Sequence, residues 1–142
     1  MKSKLVLMCA VVAISLGLLA CSPTSKQVSV EISCDDFMKE QHISKQVEVP
    51  VNGLLTVTLC SNPTTGFQWS ESAQISDQTL LEQVDHKFIP PEAKDVVGGA
   101  GKEVWTFQAR KQGTSTISMQ YSRPWEGGEK GEWTFTLTVV VK

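Results

Sequence analysis

The chain has 142 residues, enough for one domain, and carries 15 acidic against 13 basic residues for a net charge of −2. A mildly acidic chain with no basic run, and no Lys/Arg stripe interleaved with aromatics, excludes nucleic acid as a partner. At 41% hydrophobic residues it can bury a core of its own. The first element in chain order is not part of that core. Lys2 and Lys4 precede an uncharged apolar run from Leu5 to Ala20, which predicts an export leader over residues 1–20. The run is short for a membrane span and no basic stop-transfer cluster follows it. Removing the leader leaves 11 basic against 15 acidic residues, a net charge of −4.

The run ends Leu18-Leu19-Ala20-Cys21, which resembles the lipobox of bacterial lipoproteins. The resemblance implies cleavage before Cys21, lipidation of that cysteine and attachment to the cell envelope, with Ser22 matching the outer-membrane type. Residues 21–27, polar and containing Pro23, then read as a lipidated tether. With Cys9 lost and Cys21 assigned to lipid, Cys34 and Cys60 remain, too widely spaced for a Cys-x-x-Cys redox or zinc motif. They are either a structural bridge or two buried thiols, and an exported protein favours the bridge.

From Val28 the chain alternates with the period of a strand. Val28, Val30, Ile32 and Cys34 face one way, and a polar stretch from Asp35 to His42 follows. Val47, Val49 and Val51 form a second run whose Pro50 predicts a sheet edge. Asn52-Gly53 predicts a hairpin into Leu55, Val57 and Leu59. Phe67 and Trp69 open a further strand. Leu80, Leu81, Val84 and Phe88 form a segment of mixed periodicity ended by Pro90-Pro91, and a flexible loop is expected over residues 92–102. Trp105 to Ala109, Ile117 to Tyr121 and Trp133 to Val141 complete about seven short strands with no helical period. The fold class is therefore all-β, a two-sheet antiparallel sandwich spanning residues 28–142, with a closed barrel as the other architecture compatible with the pattern.

Motifs for catalysis are missing. There is no Gly-x-Ser-x-Gly elbow and no His-Glu-x-x-His pair, and Gly98-Gly99-Ala100-Gly101-Lys102 fails as a phosphate loop because Val96 stands at the required glycine. His42 and His86 read as solvated surface residues, and Asp35-Asp36 as turn or strand-end residues. No cofactor and no metal is implied, and an enzyme is disfavoured. What stands out is Asn62-Pro63-Thr64-Thr65-Gly66-Phe67, uncharged and conformationally stiff, with Pro63 and two β-branched residues ahead of a glycine. By itself it is a plain turn or a pre-shaped probe. Alternating turns place it at one end of a sandwich with Gly98 to Gly101 and Arg123-Pro124-Trp125, as the binding loops of antibody variable domains are placed.

These three segments, in this order, resemble the signature loops of the chagasin family. Asn62-Pro63-Thr64-Thr65-Gly66-Phe67 and Arg123-Pro124-Trp125 match in full, while Gly98-Gly99-Ala100-Gly101 departs from Gly-x-Gly-Gly at Ala100. The resemblance implies an immunoglobulin-like fold and reversible, tight inhibition of papain-like cysteine proteases. In that picture the Asn62 to Phe67 loop enters the active-site cleft and the other two loops brace its sides. Ala100 adds a methyl where positive φ or close approach is expected, so the glycine loop is where the match is weakest. A second reading is a cell-envelope lipoprotein that uses the same sandwich for adhesion or ligand binding.

Overall fold

Apolar–polar alternation builds two sheets whose inner faces meet. The computed structural model describes residues 26–92 and 98–142; the expected leader, Cys21 and the tether as far as Ser25 lie outside the described residues. In chain order the elements are β1 (Gln27–Ile32), α1 (Cys34–Lys39), β2 (His42–Val49), β3 (Leu54–Ser61), a single 3-10 turn (Pro63–Thr65), β4 (Gln68–Trp69), β5 (Gln74–Ile75), β6 (Leu81–Ile89), β7 (Gly101–Ala109), β8 (Gly113–Ser122) and β9 (Trp133–Val141). One sheet runs β1-β3-β7-β6 and the other β2-β9-β8-β4, with β5 also on β8. The two separate sheets make this a sandwich and not a closed barrel.

Three expectations are corrected. Among the described residues the strands number nine, because β4 and β5 are two-residue pieces and β2 begins at His42. The sheets are mixed: β1 pairs with β3 and β2 with β9 in parallel, all other pairs being antiparallel. The cause lies in the crossings. α1 carries the chain from the first sheet to the second, and the Asn52-Gly53 turn carries it back, so β2 and β3 never pair. That turn is real, with Gly53 N–H donating to Pro50 O at 2.8 Å and Asn52 at φ 63°, but it joins two sheets instead of closing a hairpin. Pro50 lies just beyond β2, which is an edge strand as expected.

The helix is the third correction. Ser33 Oγ accepts from Asp36 N–H at 3.2 Å, while Asp36 Oδ2 accepts from Ser33 N–H at 3.0 Å, a reciprocal capping box that stops β1 and starts α1. The Ser33 hydroxyl also donates to Asp36 Oδ2 at 2.6 Å, and this bond, followed by that from Ser33 N–H, holds the exposed Asp36 carboxyl below its ordinary value. The helix buries Phe37 completely, against Trp133 at 4.9 Å and Trp69 at 5.4 Å between ring centroids. Cys34 and Cys60 form the bridge, with Cα atoms 5.0 Å apart, tying α1 to β3.

The core is filled by Leu55, Val57 and Leu59 from β3, Trp105 and Phe107 from β7, and Ile117, Phe135 and Leu137 from the facing sheet. Each such side chain contributes about 1.5–3 kcal/mol on leaving water. The indoles keep their polar edges satisfied: Trp69 Nε1 donates to Cys60 O at 2.8 Å and Trp105 Nε1 to Glu71 O at 3.1 Å.

Strand directions then fix what shares each end. β3 ends at Ser61 opposite Gly101 of β7, and β8 ends at Ser122 beside Gln68. Hence α1 and the three signature segments all sit at one end. Lys26, the Pro50 to Gly53 turn and Lys142 sit at the other, where Leu54 N–H donates to Lys26 O and Val51 N–H to Lys142 O.

Candidate functional site

The Asn62 to Phe67 loop folds on itself. Asn62 Oδ1 accepts from Thr64 Oγ1 at 2.6 Å and from Thr64 N–H at 3.3 Å, Thr65 Oγ1 donates to Asn62 O at 2.7 Å, and Gly66 N–H donates to Pro63 O at 3.0 Å. Gly66 takes φ 79°, the left-handed conformation that ends the turn. Pro63, Thr64 and Thr65 are exposed, Asn62 and Gly66 are half-buried, and Phe67 and Trp69 are buried, rooting the loop as expected. The threonine hydroxyls lock the loop as donors, so what the exposed tip keeps for a partner is acceptor capacity, apolar surface and shape.

The other two segments touch it. Asn62 Nδ2 donates to Gly98 O at 2.9 Å, and a side chain at Gly98 would lie 3.9 Å from Thr64 Oγ1. Gly98 has φ 83°, whereas Ala100 is exposed and not in the left-handed region. Ala100 therefore stands where no glycine is required, and the departure from the family pattern is harmless to this backbone. Gly101 is required for another reason: it opens β7, buried, where a Cβ would sit 2.7 Å from the Phe88 ring. Gly99 is half-buried between them.

On the opposite flank, Arg123 stacks its guanidinium 4.4 Å from the Phe67 ring centroid, reaches Thr65 O at 3.5 Å and pairs with Glu129 at 3.0 Å. Pro124 is exposed. Trp125 is 52% exposed, yet the end of its indole lies over Gly66, so close that a Cβ there would be 2.7 Å from it. All three segments thus form one continuous surface centred on the Asn62 to Phe67 loop.

Sequence reasoning missed the residues that fasten this surface. Tyr121 sits buried beneath it; Asn62 N–H donates to its hydroxyl at 2.8 Å and the hydroxyl donates to Asn62 O at 3.2 Å. Lys130 Nζ donates to Arg123 O and, at 3.0 Å, to Trp125 O, while Gly128 N–H donates to Trp125 O at 3.1 Å. The glycine-rich Gly127 to Gly131 segment is a clamp as well as a crossing. Lysine after a glycine run gives no such signal, because its partners are carbonyls five and seven residues away. His86 is also corrected: it is tucked against Trp105 at 4.9 Å and bonded to Glu103 at 2.8 Å, and buried Ser61 donates to the same carboxylate at 2.7 Å. Glutamate lies between serine and histidine there, so the cluster lacks the serine–histidine bond of a nucleophile and its base.

Such a surface, a stiff loop cluster with an uncharged centre, is that of a binding module. Residues 48–139 match the chagasin family of peptidase inhibitors, and the chain belongs to that family. It is 32% identical over 98 residues to chagasin of Trypanosoma cruzi, covering 68% of this chain and 88% of that protein. It is 30% identical over 104 residues to amoebiasin-2 of Entamoeba histolytica, covering 73% and 81%. Among solved structures, the E. histolytica cysteine protease inhibitor EhICP2 superposes with a TM-score of 0.65 at 24% identity, over 85% of this chain and 100% of that one. PbICP-C, solved in complex with falcipain-2, superposes with a TM-score of 0.57 at 16% identity, over 83% and 100%. Both confirm the immunoglobulin-like sandwich.

Proposed function

We propose that this protein is a reversible, tight-binding inhibitor of papain-like cysteine proteases, occluding the active-site cleft with the Asn62 to Phe67 loop while Gly98 to Gly101 and Arg123 to Trp125 brace its two sides. Its relatives are inhibitors, not enzymes. The observation that carries the placement is the fusion of the three loops into one surface. Asn62 bonds Gly98, Arg123 reaches Thr65, and Trp125 covers Gly66. A surface assembled before docking loses little entropy on binding. Its uncharged centre meets a thiolate–imidazolium pair without stranding a charge.

The same geometry accounts for inhibition without cleavage. A protease polarises a scissile carbonyl with oxyanion-hole donors. Here Asn62 O already accepts from Thr65 and Tyr121, Pro63 O from Gly66, and Thr65 O from Arg123. The backbone is a 3-10 turn, not an extended strand. No peptide bond in the loop is laid out for attack.

The lipobox-like ending at Cys21 supports an exported protein held to the cell envelope, of the outer-membrane type, by lipid on Cys21. Strand direction supports the same reading. The chain enters β1 at the end opposite the loops, separated from them by the eight residues of β3, about 25 Å. A tether there would hold the loops away from the membrane. Titrating active papain with the purified protein tests the inhibitor reading: stoichiometric inhibition that is reversed on dilution, with the inhibitor uncut, is expected. Silence against several papain-like enzymes would favour the adhesion or ligand-binding alternative. Mass spectrometry finding Cys21 unmodified in the mature protein removes the anchor.

A further inference from the structure

The loop end of the sandwich carries a fourth element that the three signature segments do not include. α1 lies there, before the residues matched to the family, and its Met38 is 77% exposed while its neighbour Phe37 is fully buried. Between α1 and the underside of the Asn62 to Phe67 loop runs a groove of about 460 Å³. Its walls include Met38, the Cys34–Cys60 bridge, Phe67 and Trp133, and its rim includes Thr65 and Arg123 of the signature loops. Most of the polar groups that reach it are already used; the Glu132 carboxylate, which also lines it, is exposed and accepts from Gln41 Nε2 at 3.5 Å. Tyr121 is bonded to Asn62, Asn62 to Gly98 and Thr64, and Arg123 to Glu129 and the Phe67 face. A polar guest finds few free partners there, whereas an apolar one gives up nothing.

We propose that α1 and this groove form a fourth contact of the docking face, in which Met38 and the disulfide wall receive an apolar side chain from the rim of the protease cleft and so help select among proteases. The proposal rests on the inhibitor reading above, because the groove shares Asn62, Thr65, Phe67, Ala100 and Arg123 with the surface placed in the cleft. The capping box and the disulfide fix α1 at both its cap and its first residue, so Met38 is presented from a rigid support. A flexible thioether is well suited to an apolar partner whose shape varies between related enzymes.

The test uses the full-length protein labelled with 13C at the methionine methyls. Met119, 2% exposed in the core, is the internal reference, and Met38→Leu assigns the Met38 signal. Adding papain inactivated at its cysteine should shift the Met38 methyl and leave Met119 in place. In parallel, Met38→Glu should raise the inhibition constant about tenfold, mainly through faster dissociation. A Met38 signal unmoved by the protease, or Met38→Glu inhibiting as well as the unaltered protein, overturns the fourth contact while leaving the three-loop reading intact. A shift that grows with protein concentration without protease would assign the groove to a second copy and also overturn it. Failure of the unaltered protein to inhibit any papain-like enzyme removes the parent reading and this one together.

Discussion

The two ends of the sandwich are closed by different chemistry. At the end where β1 begins the seal is mainly backbone to backbone: Val51 N–H to Lys142 O, Asn52 N–H to Ala109 O, Ala109 N–H to Gly53 O and Arg110 N–H to Leu80 O. At the loop end side chains join the backbone bonds, with Asn62 bonded to Gly98 and Thr64, Tyr121 to Asn62, and Lys130 to Arg123 and Trp125. A backbone seal is nearly indifferent to sequence. A side-chain seal is specified residue by residue, so the loop end is where substitution can reshape the surface without disturbing the sheets.

The largest test of that contrast is at the tip. Thr65→Arg places a long cation where the loop is expected to meet the protease and removes two hydroxyl bonds, to Asn62 O and from Phe67 N–H, so inhibition should weaken by at least about a hundredfold, or ~2.7 kcal/mol. Thermal unfolding should shift by only a few degrees. An unchanged inhibition constant would take this loop out of the cleft. Trp125→Ala comes next, costing about 2 kcal/mol of binding, in the range of interface anchors. Its indole also covers Gly66, so part of the loss should appear as loosening of the first loop. Hydrogen exchange at Gly66, faster in the variant than in the parent, would register it.

A matched pair compares the two ends directly. Asn62→Ala deletes the acceptor of Thr64 and the donor to Gly98 O, and should cost about 1–2 kcal/mol of stability together with a clear loss of inhibition. Asn52→Gly at the opposite end keeps a residue that tolerates φ 63° and leaves the backbone seal in place. Its inhibition constant should equal that of the parent. Equal losses in both variants would mean that loop geometry depends on overall stability and not on local side chains.

Legibility in the sequence follows the same division. Strand alternation, the buried roots Phe67 and Trp69 and the gathering of three loops at one end could be read, because each follows from local period or turn punctuation. Asn52-Gly53 shows where information runs out. Its chemistry marks a turn, but which sheet receives the next strand depends on pairing with β7 and β9, whose partner residues lie 40 or more positions away. The parallel edges were hidden for that reason, as were the Tyr121 and Lys130 fastenings and the His86–Glu103 pair. α1 had a local signal in Ser33-x-x-Asp36, which a reading built on hydrophobic period overlooked because six residues cannot display a helical repeat.

The smallest expected effect concerns that helix, and its sign can be worked out. Asp36 is held below its ordinary 3.8 by the Ser33 hydroxyl first and the Ser33 backbone N–H second. A carboxyl whose value falls on folding stabilises the fold fully above the unfolded value, and the contribution fades as pH drops through the lower folded one. The Asn62 to Phe67 loop holds no ionisable side chain, so acid should loosen α1 before it affects the tip. Following the Asp36 carboxyl carbon by NMR should give a midpoint below 3.8, with amide exchange in α1 accelerating over the same range. Asp36→Asn should remove that acid dependence while leaving the Asn62 to Phe67 amides unchanged. If those loop amides instead follow Asp36, the helix and the loop behave as one unit, coupled through the Cys34–Cys60 bridge.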